Sequence, residues 1–184
     1  LFFTNLGKVY VRKGYRIPEA GRSARGQNIV NIIPTDPGEK VSAMIAGRGV
    51  TEDNYLVFVT RNGTVKRTAQ SAFKNIRSNG IRALSLDEGD ELISVLQTTG
   101  EDKILLATHD GMAICFAETD ARAMGRDAVG VRGIRLREGD YVVGAGIAAE
   151  GAAILSITEN GYGKRTDVGE YSVQNRGGMG LKNY

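Results

Sequence analysis

The feature that most constrains this chain is a stretch rich in arginine and glycine that returns about every fifty residues. Its fullest copy is 121–136, ARAMGRDAVGVRGIRL, which runs into a strand-like segment. Looser copies surround three other glycines: GRSAR precedes Gly26, KNIRSN precedes Gly80 and VQNRGGM precedes Gly180. In each copy an arginine (Arg22, Arg77, Arg126, Arg176) stands three or four residues ahead of its glycine (Gly26, Gly80, Gly130, Gly180). A period of this size is the mark of a solenoid, a propeller or an array, built from units that bury their apolar faces only against one another.

Two further landmarks recur with the same spacing. One is a tight turn between apolar runs: Asn62-Gly63, Asp110-Gly111 and Asn160-Gly161, with Leu6-Gly7 as a weaker copy. Such pairs favour hairpins, and they predict a type I′ turn with positive φ at both central residues. The other is an acidic turn at 36–39, 88–90 and 138–140, read here as solvated charge. Between the landmarks, strands are predicted at 81–86, 91–97, 103–108 and 112–117, with Met112, Ile114 and Phe116 on one face. No segment has the pattern of an amphipathic helix. Glycine is abundant (25) and proline scarce (3), as short strands and tight turns require. The expectation is an all-β, propeller-like fold with four-stranded blades, in repeats of about 1–33, 34–86, 87–136 and 137–184, the first and last partial. An arc of a larger ring is favoured over a closed ring of four.

Catalysis finds no footing. The single cysteine, Cys115, excludes an internal disulfide and a cysteine-cluster metal site, fits a reducing cytoplasm, and reads as packed in a strand. His109 is the one histidine and sits in a turn, so no histidine metal cluster is expected. The segment 161–166, GYGKRT, fails as a phosphate loop, because Thr158 stands where its first glycine belongs. Gly144 and Gly146 fail as a dinucleotide fingerprint, because Ala149 holds the place of the third glycine. No apolar run is long enough to span a membrane, and the first residues lack the pattern of a secretory signal.

Charge is segregated instead. Residues 61–82 hold six basic side chains and no acidic one, and 83–102 hold six acidic and no basic. Repeated in each unit, that makes a basic band. Arginine forks a phosphate oxygen pair, and glycine lets backbone N–H groups come close. The predicted phosphate contacts are Arg12, Lys13, Arg16, Arg22 and Arg25 in the first unit, and Lys66, Arg67, Lys74, Arg77 and Arg82 in the second. Arg122, Arg126, Arg132 and Arg135 follow in the third, and Lys164, Arg165, Arg176 and Lys182 in the fourth. Few aromatics interleave with them, so bent duplex DNA fits better than stacked single strands. A propeller scaffold whose basic rim binds an acidic protein is the reading from another class.

Four segments carry a family resemblance: 122–136 (RAMGRDAVGVRGIRL), 159–166 (ENGYGKRT), 61–68 (RNGTVKRT) and 18–32 (PEAGRSARGQNIVNI). The chain resembles, over its whole length, the C-terminal DNA-wrapping domain of the DNA gyrase A subunit, with that of topoisomerase IV as the nearest rival. The resemblance implies a six-bladed β-pinwheel, of which this chain forms about four blades. It implies DNA bent around a basic rim, in support of supercoiling driven by ATP. It also implies partners: duplex DNA, the B subunit of gyrase and a second A subunit, in a bacterial, chromosome-associated cytoplasmic setting. ATP and Mg would act through other domains, as would the family's catalytic tyrosine. The family's basic box, Q-R-R-G-G-K-G, is similar to Gln174-Asn175-Arg176-Gly177-Gly178-Met179-Gly180. Asn175 replaces an arginine and Met179 the lysine, and in the family the box belongs to the first blade.

Overall fold

The computed structural model describes residues 1–47 and 54–184; residues 48–53, within the repeat 34–86, lie outside the described residues. The strands are β1 (Phe2–Thr4), β2 (Lys8–Tyr10), β3 (Val41–Met44), β4 (Tyr55–Thr60), β5 (Thr64–Ala69), β6 (Ile81–Arg82) and β7 (Leu92–Thr98). After these come β8 (Lys103–Thr108), β9 (Met112–Ala117), β10 (Val131–Arg132), β11 (Val142–Ile147), β12 (Ala153–Ile157), β13 (Gly163–Asp167) and β14 (Leu181–Lys182). They form three four-stranded antiparallel sheets, β3-β1-β2-β6, β10-β5-β4-β7 and β11-β8-β9-β14, and a two-stranded sheet, β12-β13.

Each four-stranded sheet draws on two sequence repeats. A hairpin supplies the two middle strands. The segment that follows its own arginine–glycine stretch returns as one edge: β3, β7 or β11. The opposite edge is a two-residue strand from the next arginine–glycine stretch: β6, β10 or β14. The sheets therefore cross the repeat boundaries at 33/34, 86/87 and 136/137. The strand predicted at 81–86 is only β6, because Ala83 and Leu84 turn their amides to the Gly7 carbonyl, at 2.8 and 3.3 Å.

Alternation along the middle strands buries both faces. Leu56 and Phe58 of β4 pack with Phe3 and Val9 of the first sheet and with Phe73 in the turn after β5. Val57 and Val59 pack with Ile104, Leu106, Ile114 and Phe116 of the third. Ile114 and Phe116 thus share a face as expected, while Ala113 and Cys115 pack with Val168 and Tyr171 on the other. Cys115 is buried, and burial pushes its thiol pKa up. Sheet on sheet, each layer supplies the core of the next.

The hairpin turns differ from expectation. Gly7, Gly63, Gly111 and Gly161 have positive φ, but no residue other than glycine does among the described residues, which excludes type I′. Instead a threonine closes a three-residue loop with a left-handed glycine at its end. The amide of Gly63 donates to the Thr60 carbonyl (3.1 Å), and that of Thr64 donates to Thr60 Oγ1 (3.1 Å). Thr4, Thr108 and Thr158 repeat both bonds.

In each acidic turn the first acid is exposed, but the last is not solvated charge. Asp90 is buried, and its Oδ1 accepts from the amides of Asn62 (2.9 Å) and Glu91 (2.8 Å). Asp140 does the same for Asp110 (3.0 Å) and Tyr141 (2.8 Å). Glu39 accepts from Thr4 Oγ1 (2.6 Å) and the Tyr10 hydroxyl (2.8 Å). Burial, with that bond to Glu39, pushes the Tyr10 pKa up to about 12. These carboxylates pin each hairpin turn to the strand that returns beside it.

Candidate nucleic-acid interface

Three of the four arginine–glycine stretches end in an edge strand of a sheet; the first, around Gly26, forms no strand. Two of the short edge strands, β6 and β10, place an apolar residue inward and a cation outward. Ile81 and Val131 pack on the core, while Arg82 and Arg132 are exposed. On β14 both Leu181 and Lys182 are exposed. The repeat glycines make this seating possible. A Cβ at Gly130 would lie 2.4 Å from the Val65 carbonyl oxygen, and one at Gly180 would lie 2.3 Å from that of Ala113. At Gly80 it would meet the Tyr10 ring at 2.7 Å. So these three glycines serve close packing against a strand rather than approach to phosphate. Nothing lies within 4 Å of such a position at Gly26.

Three hairpin-turn glycines receive the stretch that follows. The Gly63 carbonyl accepts from the amides of Gly133 (2.7 Å) and Ile134 (3.3 Å), and the Gly111 carbonyl from those of Asn183 (2.7 Å) and Tyr184 (3.2 Å). Gly7 plays this part for Ala83 and Leu84. Successive stretches are also tied to each other. Ser85 N donates to the Ala128 carbonyl (3.2 Å) and its Oγ to that of Asp127 (2.9 Å). Gly177 N donates to the Gly133 carbonyl (2.7 Å), and Arg135 N to that of Gly178 (2.8 Å). The second, third and fourth stretches are thereby linked into a band.

Thirteen of the predicted cations are exposed: Lys13, Arg16, Arg22, Arg25, Lys74, Arg77, Arg82, Arg122, Arg132, Arg135, Lys164, Arg165 and Lys182. Four are half-buried: Arg12, Arg67, Arg126 and Arg176. Arg12 Nε donates to the Ile32 carbonyl (2.6 Å) and holds together the base of the first stretch.

Two assignments are corrected. Lys66 is fully buried, and its Nζ donates to the carbonyls of Ala83 (2.6 Å), Arg126 (2.8 Å) and Gly125 (3.2 Å). It cannot reach a phosphate; it joins two successive stretches from beneath. Arg67 lies over the Tyr55 ring (4.5 Å), with its Nη1 3.7 Å from Glu118 Oε2. Identical residues in the sequence, Lys164 and Arg165, are exposed on β13, although Lys164 Nζ still donates to the Asn183 carbonyl (3.1 Å). The box-like residues 174–180 are seated in the same way as the other stretches. Gln174 N donates to the Cys115 carbonyl (2.8 Å), while Asn175 and Met179 face solvent.

Burial of Lys66 lowers its pKa to about 8. The ammonium is less favoured in the folded state than in the unfolded one. The unfolded chain therefore binds more protons between about 8 and 10.5, and this group's contribution makes stability rise with pH across that window. Lys66→Met should leave the three carbonyls without a donor and cost about 1–3 kcal/mol at neutral pH. Urea unfolding of both proteins at pH 7 and pH 10 checks this: the gap between them should widen at the higher pH.

His109 lies beside two acids after all, with ligand atoms of His109, Asp110 and Asp140 all within 4.8 Å of one another. Asp140 Oδ1 already serves two amides. The bond to Asp110, then the charge of Glu159, raise the His109 pKa.

Strand-exchanged sheets, packed face to face and edged with cations, define a repeat-built β-propeller of the pinwheel kind. The profile of the DNA gyrase C-terminal domain family, a β-propeller, matches residues 1–47, 54–99, 102–149 and 153–184, and the chain belongs to that family. The A subunit of DNA gyrase from Staphylococcus aureus (strain NCTC 8325 / PS 47) is 49% identical over 185 residues, covering 99% of this chain and 21% of that protein. The chain thus spans about a fifth of the length of the curated relatives it matches. The crystal structure of the C-terminal domain of a DNA topoisomerase IV superposes with a TM-score of 0.89 at 31% identity, covering 98% of this chain and 57% of that one. A DNA gyrase A C-terminal domain gives 0.82 at 28%, covering 98% and 58%.

Proposed function

We propose that this chain is a duplex-DNA-binding and DNA-bending module of a gyrase-class type IIA topoisomerase. The observation that carries the reading is the exposed cation on each two-residue edge strand, Arg82, Arg132 and Lys182, set in a linked band on a gyrase-family propeller. Further exposed cations, Arg77, Arg122 and Arg135 among them, lie in the same stretches. Such a band contacts phosphates without reading bases, so sequence enters only through the ease of bending. The cost of bending a site of 20–30 base pairs by 40–90° is about 1–6 kcal/mol, which several arginine–phosphate contacts offset. In this reading the chain does no chemistry. It would hold DNA for a parent enzyme that uses ATP and Mg through other domains and works with the B subunit of gyrase and a second A subunit.

The C-terminal domain of the topoisomerase IV A subunit is the second reading, favoured by the TM-score of 0.89 and by the uncharged Asn175 and Met179. The 49% identity to a gyrase A subunit favours the first. Titration of random-sequence duplexes of increasing length at two salt concentrations tests the common claim. Affinity should rise with length and fall steeply with salt. Weak binding independent of length would point to an acidic protein partner instead.

A further inference from the structure

The band's arginines do two different things, and Arg126 and Arg176, four places ahead of their glycines, face the protein. Arg176 Nε donates to the Asp120 carbonyl (3.3 Å), and its Nη1 donates to the carbonyl of Arg132. Arg126 Nη1 reaches the carbonyl of Arg82 at 3.4 Å. In both cases the arginine ahead of one repeat glycine bonds the backbone of the residue two places after the preceding repeat glycine. Those receiving residues, Arg82 and Arg132, are the exposed cations of the outer strands β6 and β10. Among the described residues their own side chains have no hydrogen-bond or ion-pair partner.

We propose that Arg126 and Arg176 are positioning residues, and that phosphate contact falls to the cations two places after the glycine: Arg82, Arg132 and Lys182. This rests on the DNA-binding reading above. A guanidinium with donors committed to carbonyls, two in Arg176 and one in Arg126, is poorly placed to fork a phosphate, since its planar set of N–H groups is already oriented by the protein. What it does instead is fix the backbone of the presenting residue from the next stretch along. Each blade thereby sets the aim of its predecessor's cation. The hydrogen bond that the Gly177 amide donates to the Gly133 carbonyl, 2.7 Å, closes the same junction from the other side. A lysine at 176 keeps the charge but has no planar fork for two carbonyls.

The test is a double-mutant cycle on the 184-residue chain, read as affinity for a random-sequence duplex and its salt slope. Arg132→Gln should weaken binding several-fold and reduce the slope by about 0.9, as loss of one phosphate contact does. Arg176→Lys should lose nearly as much as Arg176→Gln, and should cost little more once Arg132→Gln is present. Amide exchange at Gly177 and Arg135 should quicken in Arg176→Lys and stay unchanged in Arg132→Gln, which reports the clamp without DNA. Full rescue by Arg176→Lys, with losses that add to those of Arg132→Gln, would make Arg176 a phosphate contact and overturn the assignment. Failure of the unsubstituted chain to bind duplex at all would overturn the DNA reading and this one together.

Discussion

Gly130→Ala is expected to destabilise this chain severely, by about 3–5 kcal/mol. Two effects add. Gly130 has φ of +120°, a conformation that L side chains rarely adopt, and strain of this kind costs about 1–3 kcal/mol. The new methyl would also stand 2.4 Å from the Val65 carbonyl oxygen and 3.0 Å from its carbon, which are strand backbone and cannot swing aside. Relief requires lifting β10 from β5. That uncovers Ile134 in the core, and frees the amides that Gly63 receives and the carbonyls that Lys66 holds. Gly89→Ala is the control, because Gly89 also has positive φ (+76°) but nothing within 4 Å. It should cost only the strain, about 1 kcal/mol. Thermal melts followed by circular dichroism separate the two, since in a chain of this size 1 kcal/mol moves the midpoint by about 2–4 °C. Equal midpoints would mean that the stretch is not seated as described.

Glu118→Ala should cost a similar amount, about 3–5 kcal/mol. Glu118 is buried, and its carboxylate accepts from Thr98 Oγ1 (2.7 Å) and from the amides of Gly100 (2.8 Å) and Asp102 (2.8 Å). Arg67 lies close by at 3.7 Å. Removing the carboxylate leaves two amides and a hydroxyl without an acceptor, and a half-buried guanidinium without its counter-charge. Glu118→Gln keeps the shape and one acceptor oxygen but points an NH₂ group at donors, so it should fall between. Urea unfolding checks the series, and a loss below about 1 kcal/mol in Glu118→Ala would show that the site tolerates water.

The sequence made the hairpins legible and hid what joins them. Strands β8 and β9 fall at the boundaries expected from alternation and from the Asp110-Gly111 turn, and the glycine period announces repeated sheets. Asn62 and Asp110 suggest a type I′ turn, whereas the threonine three places before each glycine supplies the closing hydroxyl. The exchanged edges were hidden for a different reason. A strand of two residues, such as β10, has no alternation to read, and its partner β5 lies more than sixty residues earlier. The acids at 90, 118 and 140 look like solvated turn charges until their amide partners are in view. The site was legible as a basic band but not in its division of labour. Lys66 and Lys164 sit in the same three-residue setting, Lys-Arg-Thr, and only the packing of a second stretch over Lys66 buries one and not the other.

The central claim is that DNA bends along the linked outer edges. It is tested most directly by energy transfer between dyes at the two ends of a random-sequence duplex, measured as the protein is added. The account predicts that the ends draw together on binding, that high salt reverses the change, and that Arg132→Gln with Lys182→Gln diminishes it. Binding that leaves the end-to-end distance unchanged would contradict it.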